Sequence, residues 1–274
     1  MKYKKYKKFD SSINYKNYDH IVIGSGIGGL TVATWLAKAG KKVLVLEQHY
    51  VPGGFTHTFK RKFGLKWDVG VHYVGNVSES GSLRKLFDFI TDSKLKWSSM
   101  GEVYDVIHIA GKIYEFKSGR ENFKNQLLKY FPKEEEAISL YLKLIAKSNK
   151  RANAFFFEKT FEPFLSKIIG WTIINRFHKY SKKTTLEVLE KITNNQKLIS
   201  VLCAQCGNYG LSPKYSSFAA HALIVGHFME GGYYPDGGSA QISNNIIDVL
   251  YKNGGEVLVN AKVSEIIVES NKVR

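Results

Sequence analysis

Three glycines and one glutamate near the start of the chain have the clearest chemical meaning. Gly24, Gly26 and Gly29 follow the spacing G-x-G-x-x-G, and Glu47 lies 23 positions after the first of them. Such a turn lets the N–H groups of a helix start bind a pyrophosphate, and an acid at this distance accepts hydrogen bonds from a ribose. A glycine-rich turn without a ligand would not explain Glu47, so the pattern predicts a dinucleotide site.

Short apolar runs predict the elements that position this turn. Residues 20–23 (HIVI) are typical of a buried parallel strand, residues 28–39 of a helix, and residues 43–46 (VLVL) of a second strand. The order of strand, glycine turn, helix and strand predicts a Rossmann-like α/β fold. The other turn residues that we expect to contact the dinucleotide are Ser25, Ile27 and Gly28.

A second glycine pair, Gly53-Gly54, follows the second strand closely. A nicotinamide-only Rossmann protein needs nothing specific there, whereas in flavoproteins such a pair brings further N–H groups to the pyrophosphate. Near the end of the chain, residues 240–252 predict a helix and residues 256–260 and 263–268 predict strands. The chain then stops one or two residues into a predicted hairpin partner, so we expect a truncated or split product of a longer protein.

Composition and charge limit the class of protein. With 274 residues, 44% hydrophobic and 23% charged, the chain has a globular composition. The net charge of +16 suits a nucleic acid, an anionic membrane surface, or simply lysine-rich solvated faces. No nucleic-acid motif occurs, so we expect no such partner.

The basic start MKYKKYKK lacks the apolar run of a secretory signal, and no stretch approaches a membrane span. We expect a cytoplasmic protein, or one peripheral to a membrane surface.

The two cysteines, Cys203 and Cys206, have the spacing of a redox dithiol or of half a zinc site. No second ligand pair occurs in the sequence, and the cysteines follow an apolar helical run rather than opening a helix. Two incidental buried thiols are therefore favoured, and no metal site is expected. The surrounding residues 184–205 predict one amphipathic helix.

Residues 154–180 (AFFFEKTFEPFLSKIIGWTIINRFHKY) are dense in aromatic, isoleucine and basic side chains. One interpretation is peripheral membrane contact, with aromatic and basic residues interleaved. The other is a buried helix pair that covers a large apolar pocket. The two are compatible, because a lipophilic substrate must enter from a membrane.

Four segments carry a resemblance to a known family: residues 20–59, 63–75, 207–247 and 253–268. The chain resembles the phytoene-desaturase-related flavoproteins, and within them the all-trans-retinol 13,14-reductase (retinol saturase) and carotenoid isomerase branch. The run GGFTHTF…DVGVHYVG is the segment most specific to that branch. The resemblance covers the N-terminal half of such proteins, and their C-terminal part is missing here.

The resemblance implies an architecture and a cofactor. An FAD-binding domain would comprise residues 16–80 and 226–274, and a largely helical α+β substrate domain, residues 81–225, would be inserted in it. Residues 1–15 would be a basic N-terminal arm.

The resemblance also implies roles for individual residues. The turn glycines would contact the pyrophosphate, and Glu47 would bind the adenosine ribose. Gly53 and Gly54 would form the second glycine motif, and Val263 would meet the adenine through its backbone. Phe55 stands where many relatives have an arginine, so the resemblance gives no cationic phosphate contact there.

His57, His72 and Tyr73 lie in segments that the resemblance places near the flavin. They are candidates for moving a proton or ordering the flavin edge, and a structural hydrogen-bonding role is the alternative for each. Asp68 is expected to anchor a turn rather than to act in catalysis.

The implied function is that of an FAD-dependent oxidoreductase acting on carbon–carbon double bonds of a lipophilic polyene, by hydride exchange with flavin N5. The alternative is a truncated or split FAD-binding module that needs a C-terminal partner for activity. An amine oxidase-like flavoprotein is a further alternative, which DVGVHYVG disfavours. NAD(P)H could serve as an external electron donor, but the sequence has no second Rossmann fingerprint for it.

Overall fold

A computed structural model describes residues 6–12, 17–270 and 272–273. The strands are β1 (Lys7–Lys8), β2 (His20–Ile23), β3 (Val43–Leu46), β4 (Thr58–Lys60), β5 (Lys66–Asp68), β6 (Trp97–Ser99), β7 (Val103–Ile109), β8 (Lys112–Lys117), β9 (Tyr233–Pro235), β10 (Glu256–Val259), β11 (Val268–Glu269) and β12 (Lys272–Val273). The helices are α1 (Ile27–Lys38), α2 (Ser82–Thr91), α3 (Arg120–Tyr130), α4 (Glu135–Glu158), α5 (Pro163–Ser181), α6 (Thr185–Leu189), α7 (Gln196–Leu202), α8 (Phe218–Phe228) and α9 (Ala240–Lys252).

The chain divides into two compact units. The first comprises Met1–Ser98 and Tyr233–Arg274, and the second comprises Ser99–Gly232. The predicted inserted domain begins earlier, at residue 81, but α2 places Phe87 and Ile90 in the core of the first unit. The assignment of FAD to one unit and of substrate to the other stays a prediction.

A parallel sheet with the order β1-β10-β3-β2 is the frame of the first unit. Helices α1 and α9 pack on one face of it, because each carries apolar residues every three or four positions. The predicted α/β fold is confirmed, and the helix predicted at 240–252 matches α9. The main buried contributors to this core are Leu30, Ala33, Ala37, Val43, Val45, Ile242, Ile246, Ile247, Leu250 and Val257.

Part of the predicted basic arm lies in this sheet. Lys7 pairs with Leu258 and Lys8 with Val259, and the Lys7 ammonium lies 3.0 Å from the Glu256 carboxylate. Residues 1–5 and 13–16 lie outside the described residues. The arm is therefore at least partly an edge strand, which the lysine-rich sequence did not suggest.

The strand that leads into the glycine turn was predicted to be buried, and this prediction is wrong. Strand β2 pairs with β3 on one side, and no strand of the described residues pairs with its other side. Ile21 is 56% exposed and Ile23 is 54% exposed. At the edge of the sheet, the backbone N–H and C=O groups on the outer side of β2 are not paired with a strand in the described part of the chain, and these two side chains are exposed to solvent.

Two other predicted elements differ from the structure. The single helix predicted at 184–205 is broken, because Thr184 starts α6 with a capping box and Asn195 caps a separate helix, α7. The strand predicted at 263–268 shortens to Val268–Glu269, which pairs antiparallel with β12. Asn260 takes a left-handed conformation directly after β10, so the chain leaves the sheet there. Arg274, in the predicted hairpin partner, lies outside the described residues.

The second unit combines the β7–β8 hairpin with a helical layer. The hairpin turns at Ala110 and Gly111, and both residues have positive φ. Helix α4 packs against α5 and α8. No helix within the described ranges is both long enough and apolar enough to cross a bilayer.

His221 lies fully buried in this helical layer, between two tyrosines. Its Nε2 atom is 2.9 Å from the Tyr141 hydroxyl, and its Nδ1 atom is 3.2 Å from the Tyr209 hydroxyl. Burial lowers the pKa of His221 to about 4. The imidazole is therefore neutral at pH 7, and the two hydroxyls satisfy both of its nitrogens.

Acidification should destabilise this unit through His221. The unfolded chain, with a histidine pKa near 6.5, binds a proton that the folded state excludes until about pH 4. We expect the free energy of unfolding to fall by roughly 1.5 kcal/mol between pH 6.5 and pH 5. Urea denaturation followed by circular dichroism measures this. The His221→Gln variant should lose the slope, and His108→Gln, at an exposed position on β7, should keep it; a wild-type curve flat over this range contradicts the assignment.

Candidate dinucleotide site

The glycine turn joins β2 to α1. Gly24 has a φ of +94°, and its N–H group donates to the Leu46 carbonyl at 2.7 Å, which ties the end of β2 to β3. A Cβ atom on Gly29 would collide with the Gly24 carbonyl oxygen, whereas a Cβ on Gly26 would meet open space. Gly29 therefore lets the helix pack on the turn, and Gly26 leaves room in front of it, as the sequence predicts for these spacings.

The start of α1 is suited to bind an anion. Gly26 is the N-cap residue and provides no side-chain acceptor for the first-turn N–H groups. The N–H groups of Ile27 and Gly28 thus lie at the positive end of the helix dipole. This end, with the open space at Gly26, fits the pyrophosphate of a dinucleotide.

Glu47 binds the turn from the end of β3. Its Oε2 atom accepts hydrogen bonds from the Ser25 N–H at 2.8 Å and from the Ser25 hydroxyl at 2.5 Å. Its Oε1 atom accepts from the His49 N–H at 2.8 Å. We call this arrangement the Ser25–Glu47 clamp. The Oε2 atom thus already accepts two hydrogen bonds, and the Oε1 atom accepts one and can accept another.

The clamp keeps Glu47 ionised. Burial acts to raise the pKa of this carboxyl group, but the hydrogen bonds from the Ser25 side chain and from the His49 and Ser25 backbones outweigh burial and lower the pKa. A nearly buried carboxylate is thus held as an acceptor at neutral pH, which is the state required to bind a ribose hydroxyl.

The second glycine pair lies against the first turn. The Gly53 N–H group donates to the Ser25 hydroxyl at 3.0 Å, and a Cβ on Gly54 would come within 2.9 Å of the Gly26 Cα. Gly53 has a φ of +118° and faces Ser243 of α9. Two glycine segments separated in sequence therefore meet through Ser25, which sequence analysis identified only as a cofactor contact.

A cavity of about 230 Å³ opens beside the clamp. The segment after β10 is hydrogen-bonded to two residues that line the cavity. The Ala261 N–H donates to the Glu47 carbonyl at 2.8 Å, and the Asn260 N–H donates to the His49 carbonyl at 3.1 Å. Val263 follows two residues later, in an irregular segment and not on the predicted strand. The lining residues are Glu47, Gln48, His49, Val51, Gly54, Phe55, His57 and Val69.

The three candidate proton-transfer residues are placed differently. His57 lines the cavity, where its Nδ1 atom lies 2.5 Å from the Gly54 carbonyl and its ring 4.9 Å from the His49 ring. His72 and Tyr73 contact each other edge to face at 4.7 Å and are not among the cavity residues. Of these three residues, His57 alone lines the cavity beside the clamp.

Asp68 anchors the segment that carries His72 and Tyr73. Its carboxylate accepts hydrogen bonds from the Tyr234 hydroxyl and, at 2.6 Å, from the Ser239 hydroxyl. An anchoring role for Asp68 is expected from the sequence, whereas its partners Tyr234 and Ser239 were not predicted. The position of Ser239 just before α9 was a usable signal, although its hydroxyl serves Asp68 and not the helix N-terminus.

Comparison with known proteins identifies the group to which this architecture belongs. Residues 27–274 match the profile of the flavin containing amine oxidoreductases. The chain belongs to this family. Membership implies a flavin cofactor, and the open turn, the bare helix start and the ionised Glu47 fit the dinucleotide part of one.

Several curated relatives align with most of the chain. The chain is 38% identical over 265 residues to an all-trans-retinol 13,14-reductase of Danio rerio and 37% identical to an inactive all-trans-retinol 13,14-reductase of the same organism. It is 28% identical to prolycopene isomerase 1 of an Oncidium hybrid cultivar. These alignments cover 94% to 97% of the chain but only 44% to 45% of the relatives. The expected resemblance is confirmed, and the chain spans less than half the length of these relatives.

Two solved structures share the fold. An oxidoreductase from Methanosarcina mazei superposes with a TM-score of 0.66 at 20% identity, covering 93% of this chain and 54% of its own. Cyclohexylamine oxidase from Brevibacterium oxydans gives 0.56 at 19% identity, covering 88% and 51%. At these identities the likeness establishes the fold.

Two adjacent glycines test the geometry of the turn. Gly29→Ala places a methyl group against the Gly24 carbonyl and should cost roughly 2–4 kcal/mol of unfolding free energy. Gly28→Ala meets open space on the same helix and should be neutral or stabilising by up to about 1 kcal/mol. Urea denaturation of both variants measures the difference, and equal stabilities would refute the close approach of α1 to the turn.

Proposed function

We propose that the chain is an FAD-dependent oxidoreductase that acts on carbon–carbon double bonds of a lipophilic polyene and binds the FAD dinucleotide at the glycine turn. The observation that carries the proposal is the Ser25–Glu47 clamp, which joins both glycine segments beside an open cavity. The printed names of the relatives, a retinol reductase and a carotenoid isomerase, support the class of substrate.

Each part of the site has a role toward FAD. Residues 24–29 bind the pyrophosphate through backbone N–H groups, with Gly53 and Gly54 behind them. Glu47 accepts hydrogen bonds from the adenosine ribose while Ser25 holds its carboxylate. Val263 follows the segment beside Glu47, which supports a backbone contact with the adenine.

The bound flavin supplies hydride exchange with the polyene at its N5 atom. The chain's own residues bind and orient the cofactor. His57 is the preferred candidate for holding a proton near the site, because its ring lines the cavity. His72 and Tyr73 stay candidates of lower rank, anchored indirectly by Asp68. NAD(P)H as electron donor remains a proposal without a supporting residue.

A lipophilic substrate also calls for contact with a membrane surface. The apolar side chains of residues 154–180 support such peripheral contact, since one face of α5 and the end of α4 leave them open to solvent. The exposed members are Phe156, Phe157, Phe164, Leu165, Ile168, Ile169 and Trp171. A buried helix pair, the other interpretation of this segment, accounts less well for Trp171, which is 75% exposed.

Titration of the chain with FAD, followed by flavin fluorescence, tests the role of Glu47. Glu47→Gln keeps the size of the side chain but removes its charge, so FAD affinity should fall at least tenfold, about the contribution of one charged hydrogen bond. Glu79→Gln, at an exposed position of the same unit, is the matched control and should bind as the wild type. Circular dichroism confirms that each variant is folded; equal affinities of both folded variants would remove Glu47 from the site.

The second candidate function, an FAD-binding module that needs a further polypeptide for activity, has its own supporting observation. The open edge of β2, with exposed Ile21 and Ile23, can accept another strand directly beside the glycine turn.

Anaerobic photoreduction separates the two functions. The reduced flavin bound to this chain is mixed with all-trans-retinol, and its reoxidation is followed by absorbance. Reoxidation at the rate of retinol loss supports the oxidoreductase. A chain that retains flavin but does not turn over, and gains turnover when a longer relative's C-terminal half is added, supports the module. Failure to bind any flavin contradicts both.

A further inference from the structure

A pair of adjoining cavities lies in the second unit, apart from the dinucleotide site. The first, of about 310 Å³, lies between α4, the C-terminal end of α5 and the residues around α6. Its floor is apolar, and its rim carries four lysines. The floor consists of the partly buried Leu144, Val188 and Ile192, and Leu140 lies at the exposed edge. The lysines are Lys147, Lys179, Lys183 and Lys191.

The second cavity extends the first and is almost entirely basic. It has a volume of about 280 Å³ and shares Lys147, Lys179 and Tyr180 with the first cavity. It adds Lys150 and Arg151 of α4, and Arg176 of α5. We call the seven cationic residues of the two cavities, namely Lys147, Lys150, Arg151, Arg176, Lys179, Lys183 and Lys191, the basic cluster.

No ion pair within the described part of the chain neutralises the basic cluster. Glu187 lies near Lys191 and Lys183, but its carboxylate accepts the Thr184 N–H group in the capping box of α6. Lys150 and Arg151 lie three and four residues after Lys147 on α4, a spacing at which like charges repel. Glu187 thus offsets charge only beside Lys183 and Lys191. The other five cations of the cluster take part in no ion pair of the described residues, and an anionic ligand would neutralise them.

The chemistry of the cavities defines the anion. Lysine and arginine together are typical ligands of a phosphate group, which arginine can bind with two parallel hydrogen bonds. The apolar floor requires a ligand with a hydrocarbon part next to the phosphate. A phosphate ester carrying an acyl chain has both properties, whereas a soluble carboxylate or a nucleotide lacks the second.

The position of the basic cluster on α5 indicates the source of this ligand. Leu165 and Arg176, like Ile168 and Lys179, are 11 residues apart, which is close to three helical turns, so they share one face of the helix. The exposed apolar half of that face lies roughly 16 Å along the helix from the basic half. If the apolar end of this face enters a bilayer, the lysine and arginine side chains of its other end lie near the surface, where clustered cations attract anionic lipid headgroups.

We propose that the cavities between α4, α5 and α6 bind the phosphate group of an anionic phospholipid. This site extends the proposed membrane contact of residues 154–180 and does not depend on the redox chemistry. Lys147 and Lys179, which line both cavities, contact the phosphate, and the apolar floor covers the first part of an acyl chain.

Flotation of the whole chain with lipid vesicles at physiological salt tests the proposal. Phosphatidylcholine vesicles containing about one fifth phosphatidic acid are compared with pure phosphatidylcholine vesicles. Lys147→Gln/Lys179→Gln should weaken binding to the anionic vesicles by roughly 30-fold, about fivefold for each cation. Lys143→Gln/Lys182→Gln is the matched control, because it removes the same charge at two exposed positions on α4 and just after α5. Its binding to the anionic vesicles should weaken less than threefold. Equal losses in both double variants would indicate diffuse attraction and overturn the site.

Two further arms distinguish the source of the phosphate and the role of the apolar face. Inorganic phosphate should leave the melting temperature of the wild type unchanged. Suppose instead that phosphate raises this melting temperature, that Lys147→Gln/Lys179→Gln abolishes the rise, and that the wild type does not bind vesicles. The cavities would then bind soluble phosphate compounds, and the lipid proposal would be overturned. Trp171→Ser should weaken binding to both kinds of vesicle. Flavin binding by all variants should equal that of the wild type, so a failure of the lipid site is distinct from a failure of the redox function.

Discussion

The bonds from Ser25 to the Glu47 carboxylate hold the dinucleotide site together. One carboxylate oxygen accepts both the N–H and the hydroxyl of Ser25, and that hydroxyl also accepts the N–H of Gly53. The end of β3, the first glycine turn and the second glycine pair therefore depend on one ionised group. Because the carboxylate is nearly buried, each of these hydrogen bonds contributes more than it would at the surface. The same group stays available to a ribose, so one side chain serves both the fold and the ligand.

Much of this site could be predicted from local sequence. Gly24 and Gly29 are fixed by short-range geometry, namely a left-handed turn and a close approach of helix to strand, and both act as the spacing indicates. The position of Ser25 between two glycine segments depends on contacts across 28 residues, which no local pattern records. Likewise, the hydroxyl of Ser239 reaches Asp68 across 171 residues.

The errors have a common physical origin. An apolar run such as HIVI has the same composition in a central strand and in an edge strand, and only tertiary pairing decides which it becomes. Strand β2 lies at the edge, so Ile21 and Ile23 are exposed where burial was predicted. In the second unit, the side chains of Thr184 and Asn195 bond to backbone N–H groups and divide one predicted helix into two. The sequence gives only the total net charge. The seven cations of the basic cluster come together because α4 packs on α5, which the sequence alone does not predict.

Hydrogen exchange with and without FAD, read by mass spectrometry on the whole chain, tests the central claim most directly. The account predicts that FAD slows exchange of the amides in residues 24–30 and 53–54, which lie on either side of the Ser25 hydroxyl, and leaves the second unit unchanged. Binding of FAD with no protection of these two segments would contradict it, because the cofactor would then be held by residues other than the two glycine segments and the clamp that joins them.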